Sequence, residues 1–85
     1  MYKIIIKKSA LKELENIPKP FRLKIITHID ALMNNPRPQG VRKLENFTNS
    51  YRIRIGNYRV IYSIEDDKLL IEVVKVADRK EAYKK

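Results

Sequence analysis

The sequence predicts an α+β domain: an N-terminal strand, then a two-helix hairpin packed on one face of a twisted antiparallel sheet of about four strands. Three observations carry this expectation. Apolar residues recur at helical spacing between residues 10 and 33. From Tyr51 onward, β-branched and aromatic residues alternate with charged ones. Residues 34–40, with two prolines and a glycine, separate the two regimes. No linker, repeat or low-complexity tract interrupts the 85 residues, so 1–85 reads as a single domain.

The elements follow in order. Residues 2–7, Tyr-Lys-Ile-Ile-Ile-Lys, are short and β-branched and predict a mostly buried strand. Ser9 is positioned to cap a first helix whose stripe is Ala10, Leu11, Leu14 and Ile17, stopped at Pro18. Pro20 suits the first turn of a second helix, with Phe21, Ile25, Ile29 and Leu32 on one side and Ile26 and Met33 widening it. Pro36 ends that helix. A short strand around residues 42–44 and a connection over 46–50 come next. Strands are expected over 51–55, 58–64 and 69–76. Gly56-Asn57, with glycine first, suits a type II′ hairpin turn, and Asp66-Asp67 makes the following turn. The tail from Asp78 supports one helical turn at most.

Composition excludes several kinds of chemistry. The absence of cysteine removes disulfides, thiolate metal ligands and a thiol nucleophile. A single histidine, His28, argues against a histidine metal site or a serine–histidine–aspartate triad. Apolar runs are too short to span a bilayer, and the charged first residues do not resemble a signal peptide; a cytoplasmic protein with no membrane contact is the expectation.

Charge gives the positive clue. The chain carries a formal +9, and residues 35–60 hold six basic groups against one acidic. Such a field favours a polyanionic or acidic partner. A two-residue turn at Gly56-Asn57 sets Arg54 opposite Arg59 and Ile53 opposite Val60. Alternation then puts Tyr51, Ile53, Ile55, Tyr58, Val60 and Tyr62 on one face and Arg52, Arg54 and Arg59 on the other. Like charges facing one another across strands cost roughly 0.2–1 kcal/mol per pair. Forked guanidiniums match phosphate geometry, so the cluster reads as an anion site. Arg37, Arg42, Lys43, Lys75 and Lys80 are candidates to track an RNA backbone. His28 lies at the helix border, where a structural role is the simpler reading. Tyr51, Tyr58 and Tyr62 fit the core better than a stacking platform.

Residues 51–62, Tyr-Arg-Ile-Arg-Ile-Gly-Asn-Tyr-Arg-Val-Ile-Tyr, resemble the central hairpin of the RelE/ParE toxin superfamily. Pro36-Arg37-Pro38 before Lys43-Leu44 resembles its helix-to-sheet connection, and Asp78-Arg79-Lys80-Glu81-Ala82-Tyr83 its C-terminal arginine and tyrosine. The resemblance implies a RelE-like fold and, in the RelE branch, the toxin of a type II toxin–antitoxin pair. Such toxins are mRNA interferases, endoribonucleases that cleave message in the ribosomal A site. It further implies attack of a ribose 2′-hydroxyl on the scissile phosphate without metal or other cofactor. Arg59 matches the arginine that holds that phosphate, Arg79 the basic residue near the leaving oxygen, and Tyr83 the tyrosine at the substrate base. Arg52 and Arg54 stand where well-known members carry lysines. Arginine stays protonated and cannot readily accept a proton. The base is then Tyr83, Glu81, Asp78 or a ribosomal group, or positioning and electrostatics act alone, or the activity is weak. The implied partners are the ribosome with its mRNA and a RelB-like cognate antitoxin with an acidic toxin-binding segment, covering the arginine face or displacing the Tyr83 tail. A ParE-like gyrase poison and a non-catalytic RNA- or ribosome-binding module are the alternatives.

Overall fold

The computed structural model describes residues 1–45 and 48–78. In it, β1 (Lys3–Ile6) leads into α1 (Lys8–Glu15) and α2 (Lys19–Ala31). Then come β2 (Arg42–Lys43), β3 (Ser50–Ile55), β4 (Tyr58–Glu65) and β5 (Leu70–Asp78). The strands form one sheet in the order β1-β5-β4-β3-β2. This differs from the expected antiparallel sheet of about four strands. It has five, and β1 runs parallel to β5. The helical hairpin carries the chain from β1 at one edge to β2 at the other, and the antiparallel run β2-β3-β4-β5 then returns it, so that β5 arrives beside β1 in the parallel sense.

Proline sets the helical layer. Pro18 precedes α2 in extended geometry, and Pro20 occupies its first turn, where no amide hydrogen is needed. Helix α1 begins earlier than Ser9 suggests, because Lys7 donates its amide to the Val73 carbonyl at 2.9 Å and the chain turns immediately afterwards. Ala10, Leu14 and Ile17 of the first helical stretch, and Ile25, Ile29 and Leu32 of the second, are buried. They meet Tyr51, Ile53, Ile55, Val60, Tyr62, Ile64, Ile71 and Val73 from the sheet. Phe21 and Leu11, assigned to the apolar stripes, are largely exposed instead. Phe21 lies at the rim, its ring 5.9 Å from that of Tyr58. Strand β1 is buried on one side only: Ile4 and Ile6 pack against the core while Ile5 faces out.

The hairpin register is as expected, from Tyr51 opposite Tyr62 to Ile55 opposite Tyr58. Among the described residues only Gly56 of the turn pair has a positive φ (61°), which is the type II′ pattern. The β4–β5 connection is longer than a two-residue turn. Asp66–Lys68 form a 3-10 turn, and Leu69 follows in the left-handed region at φ 51°.

One polar network ties this turn to the rest. Asp66 accepts two hydrogen bonds from Arg37, Nη2 at 2.8 Å and Nη1 at 3.2 Å, and one from the Tyr2 hydroxyl at 2.6 Å. Arg37 Nε donates to the Tyr51 hydroxyl at 3.2 Å. The Tyr51 ring lies 6.0 Å from that of Tyr62, whose own hydroxyl donates to the Pro36 carbonyl at 2.8 Å. The prolines and arginine after α2 are thereby fastened to β1, β3, β4 and the last turn. Burial pushes the Tyr62 hydroxyl up to about 12. The Arg37 hydrogen bonds, followed by that of Tyr2, hold Asp66 down at about 2.

Two outcomes follow from this network. A folded-state value below the ordinary 3.8 means that ionised Asp66 contributes fully above that pH, and that its contribution disappears as pH falls towards about 2. Asp66→Asn should therefore lower the thermal midpoint at pH 7, with the gap from wild type closing between pH 4 and pH 2. A pH-independent gap would show that the carboxylate charge is not what holds the turn. Tyr62→Phe leaves the Pro36 carbonyl without its donor and should cost about 1 kcal/mol in denaturant unfolding.

Candidate nucleic-acid interface

Strand pairing assembles the arginines. Arg54 and Arg59 are Cα partners across the hairpin, and Arg42 of the short edge strand is the partner of Arg52. Paired residues share a face, so four arginines from three strands lie on the side away from the helices. Sequence reasoning set Arg42 among general RNA contacts; pairing brings it into this row. Lys43 is opposite Tyr51 and so belongs to the other face, at the sheet edge.

The row is not uniformly open to water. Arg42 and Arg54 are exposed and Arg52 is half-buried, whereas Arg59 is only 4% exposed. Arg59 lies on a strand flanked on both sides, with Arg54 across one ladder and Ala77 across the other. A guanidinium at that depth is ordered and desolvated, which strengthens its pull on an approaching anion. The bonding is graded too. Arg52 and Arg59 both interact with neighbouring groups, while Arg54 makes no ion pair among the described residues. Glu72 reaches this face opposite Ser63, four positions along β4 from Arg59.

Two of the predicted RNA contacts are occupied within the chain. Arg37 is bound to Asp66 and Tyr51, as described above, and does not join the row. Lys75 sits at a β-bulge, where the β4–β5 register shifts between Ile61 and Tyr62. Its Nζ bonds Glu13 Oε2 of α1 at 2.9 Å, while Glu13 Oε1 accepts the Val76 amide at 3.0 Å. The carboxylate thus satisfies a backbone donor beside the irregularity and pins β5 to α1. Nothing in the local sequence marks Glu13 for this role, because the bulge that creates it appears only once the strands are paired. His28 is exposed and its Nδ1 donates to the Lys24 carbonyl at 2.9 Å, a helix-surface contact in keeping with a structural role. Arg79, Lys80 and Tyr83 lie outside the described residues. Among the described residues no group of histidine, cysteine, aspartate or glutamate could hold a metal ion, and no helix is long and apolar enough to cross a membrane.

With this geometry in place, likeness to known proteins is informative. Residues 4–83 match the ParE toxin family of type II toxin–antitoxin systems. The chain belongs to this family. Its relatives place it in the RelE-like branch of the RelE/ParE toxins. RelE1 of Methanocaldococcus jannaschii is 33% identical over 98% of this chain and 96% of its own length. The toxin in the archaeal RelE-RelB complex from Pyrococcus horikoshii OT3 is 34% identical with a TM-score of 0.83, covering 92% of this chain and 94% of that one. The isolated Escherichia coli RelE toxin shares the fold at a TM-score of 0.80 and 24% identity, over 92% of this chain and 84% of that one.

The burial difference within the toxin's arginine pair is directly testable. Arg54→Ala, at an exposed strand position, should change unfolding free energy by less than about 0.5 kcal/mol. Arg59→Ala removes a buried side chain with its contacts and should cost roughly 1–3 kcal/mol. Equal effects in urea denaturation would contradict the assigned burial.

Proposed function

We propose that this RelE-like toxin is a ribosome-dependent endoribonuclease that cuts mRNA in the ribosomal A site. The observation that carries the reading is the convergence of Arg42, Arg52, Arg54 and Arg59 on one sheet face. Cleavage by a ribose 2′-hydroxyl builds negative charge on the phosphoryl oxygens and on the leaving 5′-oxygen. Fixed cations aimed at those atoms stabilise that charge without reorganising during the reaction. Buried Arg59 is the group best placed to hold the scissile phosphate, because its surroundings restrict its motion. Exposed Arg54 and Arg42, with half-buried Arg52, guide the strand on either side. Arg79 and Tyr83 complete the proposed constellation at the leaving group and the base. Since the guanidiniums of the row stay protonated, the proton acceptor lies elsewhere: Asp78, Glu81, Tyr83 or a ribosomal group.

The partner proposed for the resting state is a RelB-like antitoxin, as in the RelE-RelB complex of the Pyrococcus relative. A chain of +9 calls for an acidic binding segment.

Programmed ribosomes and DNA gyrase, each incubated with the purified toxin, test the reading. A-site cleavage of the message is the expected result; gyrase-trapped DNA breaks with intact message would replace it with gyrase poisoning. Binding without either product would leave an RNA-binding module. Arg54→Ala should weaken ribosome binding and lower the slope of log affinity against log salt by about 0.7–0.9. An unchanged slope would remove Arg54 from the phosphate contacts. Arg59→Lys keeps the charge but loses the fork, and should reduce single-turnover cleavage at least tenfold with little change in ribosome affinity.

A further inference from the structure

Two strand carboxylates among the described residues share the sheet face with the arginine row. Glu65 is opposite Leu70 and is bound to Lys68 at 3.3 Å. Glu72 takes part in none of the ion pairs found among the described residues. Strand pairing gives it Ser63 of β4 and Ile5 of β1 as cross-strand neighbours, with Leu70 two residues back on its own strand. Ile61 comes two residues before Ser63 and is opposite Arg52. Ile5 is 44% exposed, and Ile61, Ser63, Leu70 and Glu72 are half-buried. Lys3 lies diagonally, opposite Leu70, without an ion pair to Glu72.

The face therefore changes character along its length. The four arginines occupy one part of it, and beside them lies an aliphatic patch with a hydroxyl and a carboxylate in its middle. A carboxylate so placed repels every phosphate that the row attracts. It counts against binding of a bare backbone and for contact with a hydrogen-bond donor. Four residues along β4 and one strand across separate Arg59 from Glu72, roughly 14 Å between Cα positions. At that distance the two side chains do not share one phosphate, and Glu72 is no candidate to take the proton from the attacking hydroxyl. The gap suits the base of a neighbouring nucleotide, its ring lying on the aliphatic side chains and its edge turned to Glu72.

We infer that Glu72 is a specificity-determining residue, which selects guanine in a nucleotide of the message flanking the cut. The inference rests on the nuclease reading given above and adds its base selectivity. A carboxylate offers two acceptors and no donor. Guanine alone among the four bases presents two adjacent donors on its Watson–Crick edge, N1–H and the N2 amino group. Adenine, cytosine and uracil each present one donor there, next to an acceptor that a carboxylate repels. The match to guanine and the repulsion of the others act in the same direction. Ser63, across the ladder from Glu72, borders the same edge with a hydroxyl that can donate or accept.

Ribosomes programmed with messages that differ in one base of the A-site codon test this in single-turnover cleavage by the purified toxin. Guanine at one of the two positions flanking the cut should be favoured at least fivefold, the lower end of the roughly 5- to 150-fold discrimination of a bidentate side-chain contact to a base. Inosine at that position, which lacks only the N2 amino group, should lose most of this advantage with the wild-type toxin. Glu72→Gln offers one acceptor and one donor, and should move the preference towards adenine, whose edge is complementary to it. Equal cutting with all four bases at both positions overturns the inference and leaves the nuclease reading intact. Insensitivity to inosine does the same, and so does a guanine preference retained by Glu72→Gln, which would assign the selection to the ribosome. Loss of cleavage by Glu72→Gln on every codon also overturns it, because a residue that selects a base alters the ratio between codons. Message left whole by the wild-type toxin overturns both readings.

Discussion

The Gly56-Asn57 turn decides which side chains of the central hairpin share a face. A glycine in the left-handed region closes the turn in two residues, and closure fixes the pairing of every residue from Ile55 back to Ser50. One set of side chains, from Tyr51 to Tyr62, then belongs to the core. The other set, which includes Arg52, Arg54 and Arg59, cannot enter it. A slip of one residue would exchange the two sets, burying three guanidiniums against the helices and exposing the apolar residues. The packing energy of the core is therefore also what keeps the arginines together, against their mutual repulsion.

Around that hairpin, polar contacts deal with places where regular structure ends. Asp66 and Arg37 join the β4–β5 turn to the segment after α2, with Tyr2 and Tyr51 as further partners. Glu13 satisfies the amide beside the β5 bulge. These contacts are partly exposed, and their individual contributions are modest. Their value is positional, since each links elements far apart in sequence that the apolar core alone would let slide.

Much of this was legible in the sequence because it depends on local rules. Proline placement marked the helix boundaries, the period of the apolar residues separated helices from strands, and the turn dipeptide gave the hairpin register. What could not be read depends on pairing between distant segments. Parallel addition of β1 to β5 leaves no local mark, and neither does the bulge opposite Ile61. Burial of Arg59 has no local mark either, since Ile61 and Ser63, on the same face of the same strand, are only half-buried. Arg37 resembled any other loop cation until Asp66 was brought beside it. Phe21 and Leu11 match the helical period yet stay largely exposed, because the period fixes a face of the helix and not how far the core extends beneath it.

The sheet order also has a temporal side. Lys3 is the partner of Leu70, so β1 has no ladder until β5 has been made. Helix α1 is in the same position, since Glu13 finds its backbone donor on β5. A nascent chain that has emerged only as far as β4 can close its arginine hairpin but lacks the strand that flanks Arg59 on its other side. Closure of the sheet around β1 and α1 is thus tied to the synthesis of β5.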